Sequence, residues 1–592
     1  MRANKKLFAK NCIVTRKKKI SFEMNAFSTF EILPDEILLK ICRYLRIAGV
    51  LYSFYNLNDR LNVTITGYCR HLDLCGMTYQ QYNSIVSNIL PQLAPFVQSF
   101  AFNYFRDRLW STQAIALFNT PQISFVFPRI RKITLYDFTS EELSSFMNKL
   151  HNLPDLRELI IRDIAGDVDK TLLDVLFTAN NHHINSIIFE PFTTAFEVLE
   201  FKHSYTYENI QKLVINLKSN QQLRQILAVI PNIQYLYVTI YKHDDDIRTD
   251  QPFIYAPSLL YITDFRLSSV EYCELNEIHS IVQNMPSLQT LLLDLSTIDE
   301  KFINQEYFLA NLPRSLQQIY FIIRYTFSEI NFEIDSLISS WAASFPVSCF
   351  VSENGNYLYL FTNSLGIKLL DLPVSIGKQI SQTCQFVQSV NDLFISDTTS
   401  LTDILSTLKH FSRVRKLEIK ATCLPELCTI AINPPIPLSL IYLQQLRVSG
   451  ICGLFDILKA APNLDCLSID FDCLSILVCD EPTRNLLQQR ITRLKIRSQE
   501  DIEFYAFQRA VHVFDRLYFL CVSINDAKAS VQESLSVILA ALNIKQMITI
   551  FFNRKNMDKN SVDRQWIIDH SALTVNDEFI VDITDDWFSL WK

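Results

Sequence analysis

Residues 443–496 read LQQLRVSGICGLFDILKAAPNLDCLSIDFDCLSILVCDEPTRNLLQQRITRLKI. Three times in this stretch an apolar residue is followed at +3 and +5 by two more: Leu443/Leu446/Val448, Leu464/Leu467/Ile469 and Ile491/Leu494/Ile496. Side chains alternate along an extended chain, so the +3 and +5 residues share a side, and each triplet predicts a short strand with one buried face. Between triplets the period changes. Leu454, Ile457 and Leu458 recur at helical spacing. Pro462 stands just before the next strand, where a proline stops a helix and turns the chain.

The same theme occupies most of the chain. Further copies are Leu156/Leu159/Ile161, Ile233/Leu236/Val238, Leu288/Leu291/Leu293, Leu316/Ile319/Phe321 and Val414/Leu417/Ile419. Weaker ones start at Ile130, Ile184, Ile210, Leu259, Val390, Leu517 and Ile544. From Ile130 to Leu316 the steps are 26, 28, 26, 23, 26, 29 and 28; from Val390 to Ile544 they are 24, 29, 21, 27, 26 and 27. Helical stripes fill the intervals, among them Leu143/Phe146/Met147/Leu150, Leu275/Ile278/Ile281/Val282/Met285 and Leu401/Ile404/Leu405/Leu408. A period of 20–29 with these anchors resembles the leucine-rich repeat. The resemblance implies an α/β solenoid of parallel strands and outer helices, in which each coil covers its neighbour's apolar face. That family usually places Asn or Cys eight residues after the first anchor. Here Cys423, Cys452 and Cys473 come nine residues after it and read as small buried hydrophobes.

The repeat lapses between Leu316 and Val390. Phe350-Val351, Tyr357 to Phe361 and Leu369-Leu370, with Asn354-Gly355 as a turn, predict an irregular β insertion or a joint between two solenoid arcs over 344–385. At the end, Phe579, Val581 and Ile583 alternate, and Trp587, Phe588, Leu590 and Trp591 crowd the terminus. A solenoid needs its open end covered, so 554–592 is expected to form a docked cap.

Composition fits a chain that buries much of itself. Of 592 residues 49% are hydrophobic and 20% charged, with mean hydropathy +0.11. Extended intrinsic disorder is thereby excluded. Glycines number 9, where ordinary usage would give about 40. No glycine-rich phosphate loop, dinucleotide fingerprint or nucleophile elbow is present. No run of 18 apolar residues suggests a membrane span, and no apolar segment marks an export signal. The 14 cysteines form no C-x-x-C pair and read as reduced thiols. Net charge is −7, unevenly spread: residues 1–20 hold eight basic residues and no acid, leaving −15 for the rest. An acidic body does not suit broad nucleic-acid binding.

The head carries a second signal. Pro34 sits where a helix can start, Asp35 and Glu36 place negative charge at its positive end, and Ile37, Leu38, Ile41 and Leu45 make an apolar stripe. Two further short stripes follow, at Val50/Leu51/Phe54/Tyr55 and from Leu57 to Leu61. Leu33-Pro34-Asp35-Glu36-Ile37-Leu38, followed by Ile41 and Leu45, resembles the opening of an F-box, and Ser53-Phe54 and Asn58-x-Arg60 are similar to its later part. Asn58 to Asn62 hold the region where that family often has a tryptophan. The resemblance implies docking on the Skp-family adaptor, and through it on a cullin, of SCF-type ubiquitin ligases. Leu33, Pro34, Ile37, Leu38, Ile41 and Leu45 would then be the adaptor-binding residues.

The expected order is a basic disordered leader (1–27), a three-helix F-box domain (28–74), a first arc (75–343), the insertion or joint (344–385), a second arc (386–553) and the cap (554–592). The expected role is a substrate receptor in the cytoplasm or nucleus, with a protein substrate and no cofactor, metal, nucleic acid, membrane or catalysis of its own. The alternative is a leucine-rich-repeat scaffold or inhibitor without a role in ubiquitination. Arg16-Lys17-Lys18-Lys19 fits an import signal or a solvated leader. Cys423 with Cys428, His182-His183 and Asp244-Asp245-Asp246 lack the spacing of zinc or calcium sites. No local nucleophile signature appears.

Overall fold

The computed structural model describes the chain between residues 33 and 591, apart from 103–122, 242–258, 328–333, 352–356, 363–368, 374–389, 422–437, 499–503, 525–530, 542–546, 553–561 and several breaks of four residues or fewer. The basic leader, Asp244–Asp246, Asn354-Gly355, Cys423, Cys428 and Cys452 lie outside the described residues.

Three short helices open the structure: α1 (Asp35–Cys42), α2 (Ile47–Phe54) and α3 (Asp59–Tyr68). A 12-stranded sheet follows, β1 (His71–Asp73), β2 (Ser99–Phe102), β3 (Lys132–Tyr136), β4 (Glu158–Arg162), β5 (Ser186–Phe189), β6 (Lys212–Leu217), β7 (Tyr235–Ile240), β8 (Asp264–Tyr272), β9 (Thr290–Thr297), β10 (Gln318–Thr326), β11 (Val347–Val351) and β12 (Tyr357–Thr362). A 10-stranded sheet completes the chain, β13 (Leu369–Pro373), β14 (Asp392–Thr398), β15 (Lys416–Ala421), β16 (Gln445–Ser449), β17 (Cys466–Asp470), β18 (Arg493–Ser498), β19 (Phe519–Ile524), β20 (Met547–Phe552), β21 (Ile580–Ile583) and β22 (Trp587–Trp591). Strands β1 to β10 pair parallel in chain order, and so do β13 to β20. This is the leucine-rich-repeat-like α/β solenoid that the spacing predicts, with a short helical element in most connections.

Register explains why the triplets repeat. Leu417, Leu446, Leu467, Leu494 and Leu520 stand in one row across β15 to β19, and Ile419, Val448, Ile469, Ile496 and Val522 in the next. All ten are buried, because their common face meets the helices. Two weak copies are corrected by this register. Phe265 and Leu267 pair with Leu291 and Leu293, which makes Ile262, not Leu259, the anchor of β8. Ile548 and Ile550 pair with Leu520 and Val522, one residue beyond the positions expected from Ile544. Two copies are new. Cys69, Leu72 and Leu74 at β1 and Val97 and Phe100 at β2 are buried at repeat spacing, so the sheet begins inside the helical head rather than after residue 74.

Both sheets end in the same device. β12 runs antiparallel beside β10, and its hairpin partner β11 takes the edge; β22 runs antiparallel beside β20, and β21 takes the edge. The segment 344–385 is therefore divided: the β11–β12 hairpin closes the first sheet, and β13 opens the second. Phe588, Ser589 and Leu590 are buried in β22, whereas the packing of Trp587 and Trp591 side chains lies outside the described residues. Deleting 580–591 would strip β20 of its partner and present an unpaired edge. The expected result is a lower melting temperature with self-association, read by thermal denaturation and gel filtration; an equally stable monomer would contradict it.

Polar side chains fasten one coil to the next. Asn209 donates to the carbonyls of Phe177 and Ile184, Asn232 to Glu208 and Asn463 to Ile441. Buried Asn180 accepts from the Leu153 N–H at 2.8 Å and donates to the Leu153 carbonyl at 2.7 Å. Its φ of 51° is the left-handed region that asparagine tolerates better than most residues. Asn180→Ala should therefore cost about 2–3 kcal/mol, since it strands a buried N–H and C=O pair. A urea midpoint matching wild type would contradict this.

Candidate docking surfaces on the head and the strand face

Helix α1 separates the adaptor-docking candidates into two sets. Leu38 and Cys42, four residues apart, point inward at 2% and 3% exposure. Ile37 and Leu45 are exposed at 39% and 40%, and Ile41 between them is half-buried. Leu33 is half-buried against the core, and Pro34 is exposed. Leu38, expected among the adaptor-binding residues, is instead a packing residue of the bundle, because it lies on the side that faces α3. Ile37, Ile41 and Leu45 form the outward row, and exposed Tyr52, Leu57 and Val63 add apolar surface on the same module.

Arg60 on α3 fixes the start of α1. Its Nε donates to Asp35 Oδ1 at 2.9 Å, and its Nη2 donates to the same oxygen at 2.6 Å and to the Leu33 carbonyl at 2.5 Å. The hydrogen bond from Arg60 holds the Asp35 carboxyl below its usual pKa. Asn58 caps α3 through the Leu61 N–H. The Pro34 carbonyl accepts from the Ile37 and Leu38 N–H groups, which sets the first helical turn. Tyr68 donates to the Cys42 carbonyl and ties α3 to the end of α1. Burial, then the neighbouring Cys42, raises the Cys69 thiol to about 12, so it behaves as a core residue.

The second surface is the strand face opposite the helices. In the first sheet it interleaves charge with tyrosine. Lys132 pairs with Glu158; Arg162 lies over Tyr136 and pairs with Glu190; Lys212 and Arg266 flank the Tyr235 ring at 5.2 and 5.1 Å; Arg324 pairs with Asp294. Burial raises the Tyr237 hydroxyl to about 12, so it stays protonated and able to donate. In the second sheet, Asp465 pairs with Arg493 and Asp470 with Arg497. Alternation places these residues on the side of each strand opposite the anchors; at β19 that side is itself buried, with Phe519 and Cys521 joining the core of the first sheet. Tyrosine and arginine are the side chains that anchor protein interfaces.

Exposed His182 and His183 stand on the turn after the helix Leu172–Thr178, with His182 at φ 61°. Among the described residues, no three His, Cys, Asp or Glu side chains gather as a metal site, and no helix is long and apolar enough to cross a membrane.

No protein-family model and no curated protein matches the chain. Among solved structures, a TLR13–ssRNA13 complex matches over 81% of this chain and 58% of its own, at 12% identity and a TM-score of 0.23. The leucine-rich repeat-containing protein LegL7 from Legionella pneumophila matches over 70% of this chain and 98% of its own, at 13% identity and a TM-score of 0.21. The chain spans under two thirds of the first of these.

The apolar stripe of the head was legible in the sequence, but not its division into inward Leu38 and outward Ile37 and Leu45. The Arg60 clamp was not, because it joins residues 25 and 27 positions apart. The strand-face ladder was legible only as the complement of the anchors.

Proposed function

We propose that the chain is the substrate receptor of an SCF-type ubiquitin ligase. The helical head docks a Skp-family adaptor, which links it to a cullin, and the solenoid holds a protein substrate. Ubiquitin transfer is left to the partners, and the chain acts by bringing substrate close to them. The observation that carries this reading is the outward apolar row of Ile37, Ile41 and Leu45, presented beside a Leu33-Pro34 turn that Arg60 clamps. Support comes from the F-box resemblance of the same residues.

A second reading has an observation of its own. Leu38, Val50, Leu61 and Leu72 belong to one continuous core with the first sheet, as they would if the head served as the solenoid's N-terminal cap. Co-expression with a Skp-family adaptor separates the two. Under the ligase reading the adaptor elutes with the chain in gel filtration. Under the scaffold reading it elutes alone.

A further inference from the structure

The strand face of the second sheet is basic on a protein whose body is acidic. Glu418, Arg447, Ser468 and Lys495 stand in one row across β15 to β18. In the next row Lys420 pairs in register with Ser449, and Asp470 with Arg497. The charges divide by exposure. Lys416, Lys420 and Arg447 are exposed, whereas Asp392, Glu418, Asp465 and Asp470 are half-buried, each beside a basic partner. Asp470 also accepts from the Gly450 N–H. Each acid is paired with a basic side chain, and six basic residues (Lys416, Lys420, Arg447, Arg493, Lys495 and Arg497) stand against these four acids, so the face carries an excess of positive charge, with Lys416, Lys420 and Arg447 its most exposed members. Arg497 reaches across to β16, donating to the Val448 carbonyl and to Ser449 Oγ at 2.8 Å each, and Ser468 is buried. Burial lowers the Arg497 pKa and Arg447 lowers it further, while Asp470 and Glu418 partly offset this, so the two guanidinium groups lie near each other between these acids.

We infer that the face of β15 to β18 binds an extended acidic segment, rich in Asp and Glu, of a protein partner. Strands lie about 4.8 Å apart, so Arg447 and Lys495 are roughly 10 Å from each other, a span that about three extended residues cover. A carboxylate can meet the Arg447 fork in two-pronged fashion. The inference deepens the proposed function, since it rests on the solenoid being the part that holds a protein.

The test is the fluorescence anisotropy of a labelled peptide of alternating Glu and Gly, titrated with the full chain at low and physiological salt. A Gln-Gly peptide, a phosphoserine-Gly peptide and a single-stranded oligonucleotide serve as competitors. The expected result is binding of the Glu-Gly peptide that weakens with salt and falls at least about tenfold in Lys420→Glu/Arg447→Glu. Both positions are exposed, so the variant should melt as wild type does. The milder Arg447→Gln should lie between the two. Adaptor binding, measured on the same samples, should be the same in wild type and variant. A chain that binds the peptide but no adaptor would support this inference and sink the ligase reading. The inference is overturned if the Gln-Gly peptide competes equally, if the double reversal leaves affinity unchanged, or if phosphoserine or the oligonucleotide is preferred by more than about tenfold.

Discussion

Leu467→Asp and Leu494→Asp should each bring the chain close to unfolding, lowering stability by about 4–5 kcal/mol or more. The two leucines are fully buried neighbours, paired in register between β17 and β18. Each lies in the row that runs from Leu417 to Leu520, packed on one side by the strands and on the other by the helices. An aspartate there would have to lose its charge or bury it without a partner. Leu→Ala at the same sites removes packing only and should cost about 2–5 kcal/mol. Denaturant unfolding followed by circular dichroism gives the comparison. If both aspartate variants unfold at the wild-type midpoint, the register of the second sheet is wrong. Because solenoid coils lean on their neighbours, the loss should spread to adjacent coils rather than stay at one strand.

The second large effect is expected at the head. Ile37→Asp combined with Leu45→Asp should lower affinity for a Skp-family adaptor by at least about tenfold, because each outward side chain contributes apolar area that docking would bury, at roughly 25 cal/mol per Å². Both residues are about 40% exposed in the free chain, so the melting temperature should barely move. Leu38→Asp makes the contrast: its side chain is buried, and the same chemical change should instead destabilise the bundle. Arg60→Ala tests the clamp. It frees the Leu33 carbonyl and Asp35 without touching the apolar row, and should weaken docking less than the double change. Wild-type adaptor affinity in a folded Ile37→Asp/Leu45→Asp chain would contradict this placement of the docking row.

The anchors were the most legible part of the chain, for a physical reason. A parallel strand packed under a helix tolerates only apolar residues at +3 and +5, so Leu159, Leu236, Leu291 and Leu494 announce their own burial. Reading failed where side chains of another kind fill the same positions. Cys69 serves as a buried anchor at β1 and aromatic Phe100 fills β2, so the first two coils went unread. At β8 the run Leu259-Leu260-Tyr261-Ile262 offered two registers three residues apart, and only pairing with β9 chose between them. The turn asparagines were also missed. Asn209, Asn232 and Asn463 each stand immediately before an anchor, a position that recurs in the sequence and that the cysteines nine residues after an anchor do not mark. The hairpin ends were legible as strand-forming sequence at 347–362 and 580–591, but not as antiparallel closures, because pairing direction is set by chain return rather than by local composition. On the head, period alone grouped Leu38 with Ile37 and Ile41; the bundle separates them, since a helix one turn wide has an inner and an outer side.

The proposal that the chain is a ligase receptor is tested most directly by isothermal titration of the full chain with a purified Skp-family adaptor. The account predicts one adaptor per chain, a dissociation constant at or below about 1 µM, and a negative heat-capacity change from burial of the apolar row. An absence of binding heat at every temperature, confirmed by separate elution of the two proteins in gel filtration, would contradict it and leave the helical head as the N-terminal cap of the solenoid.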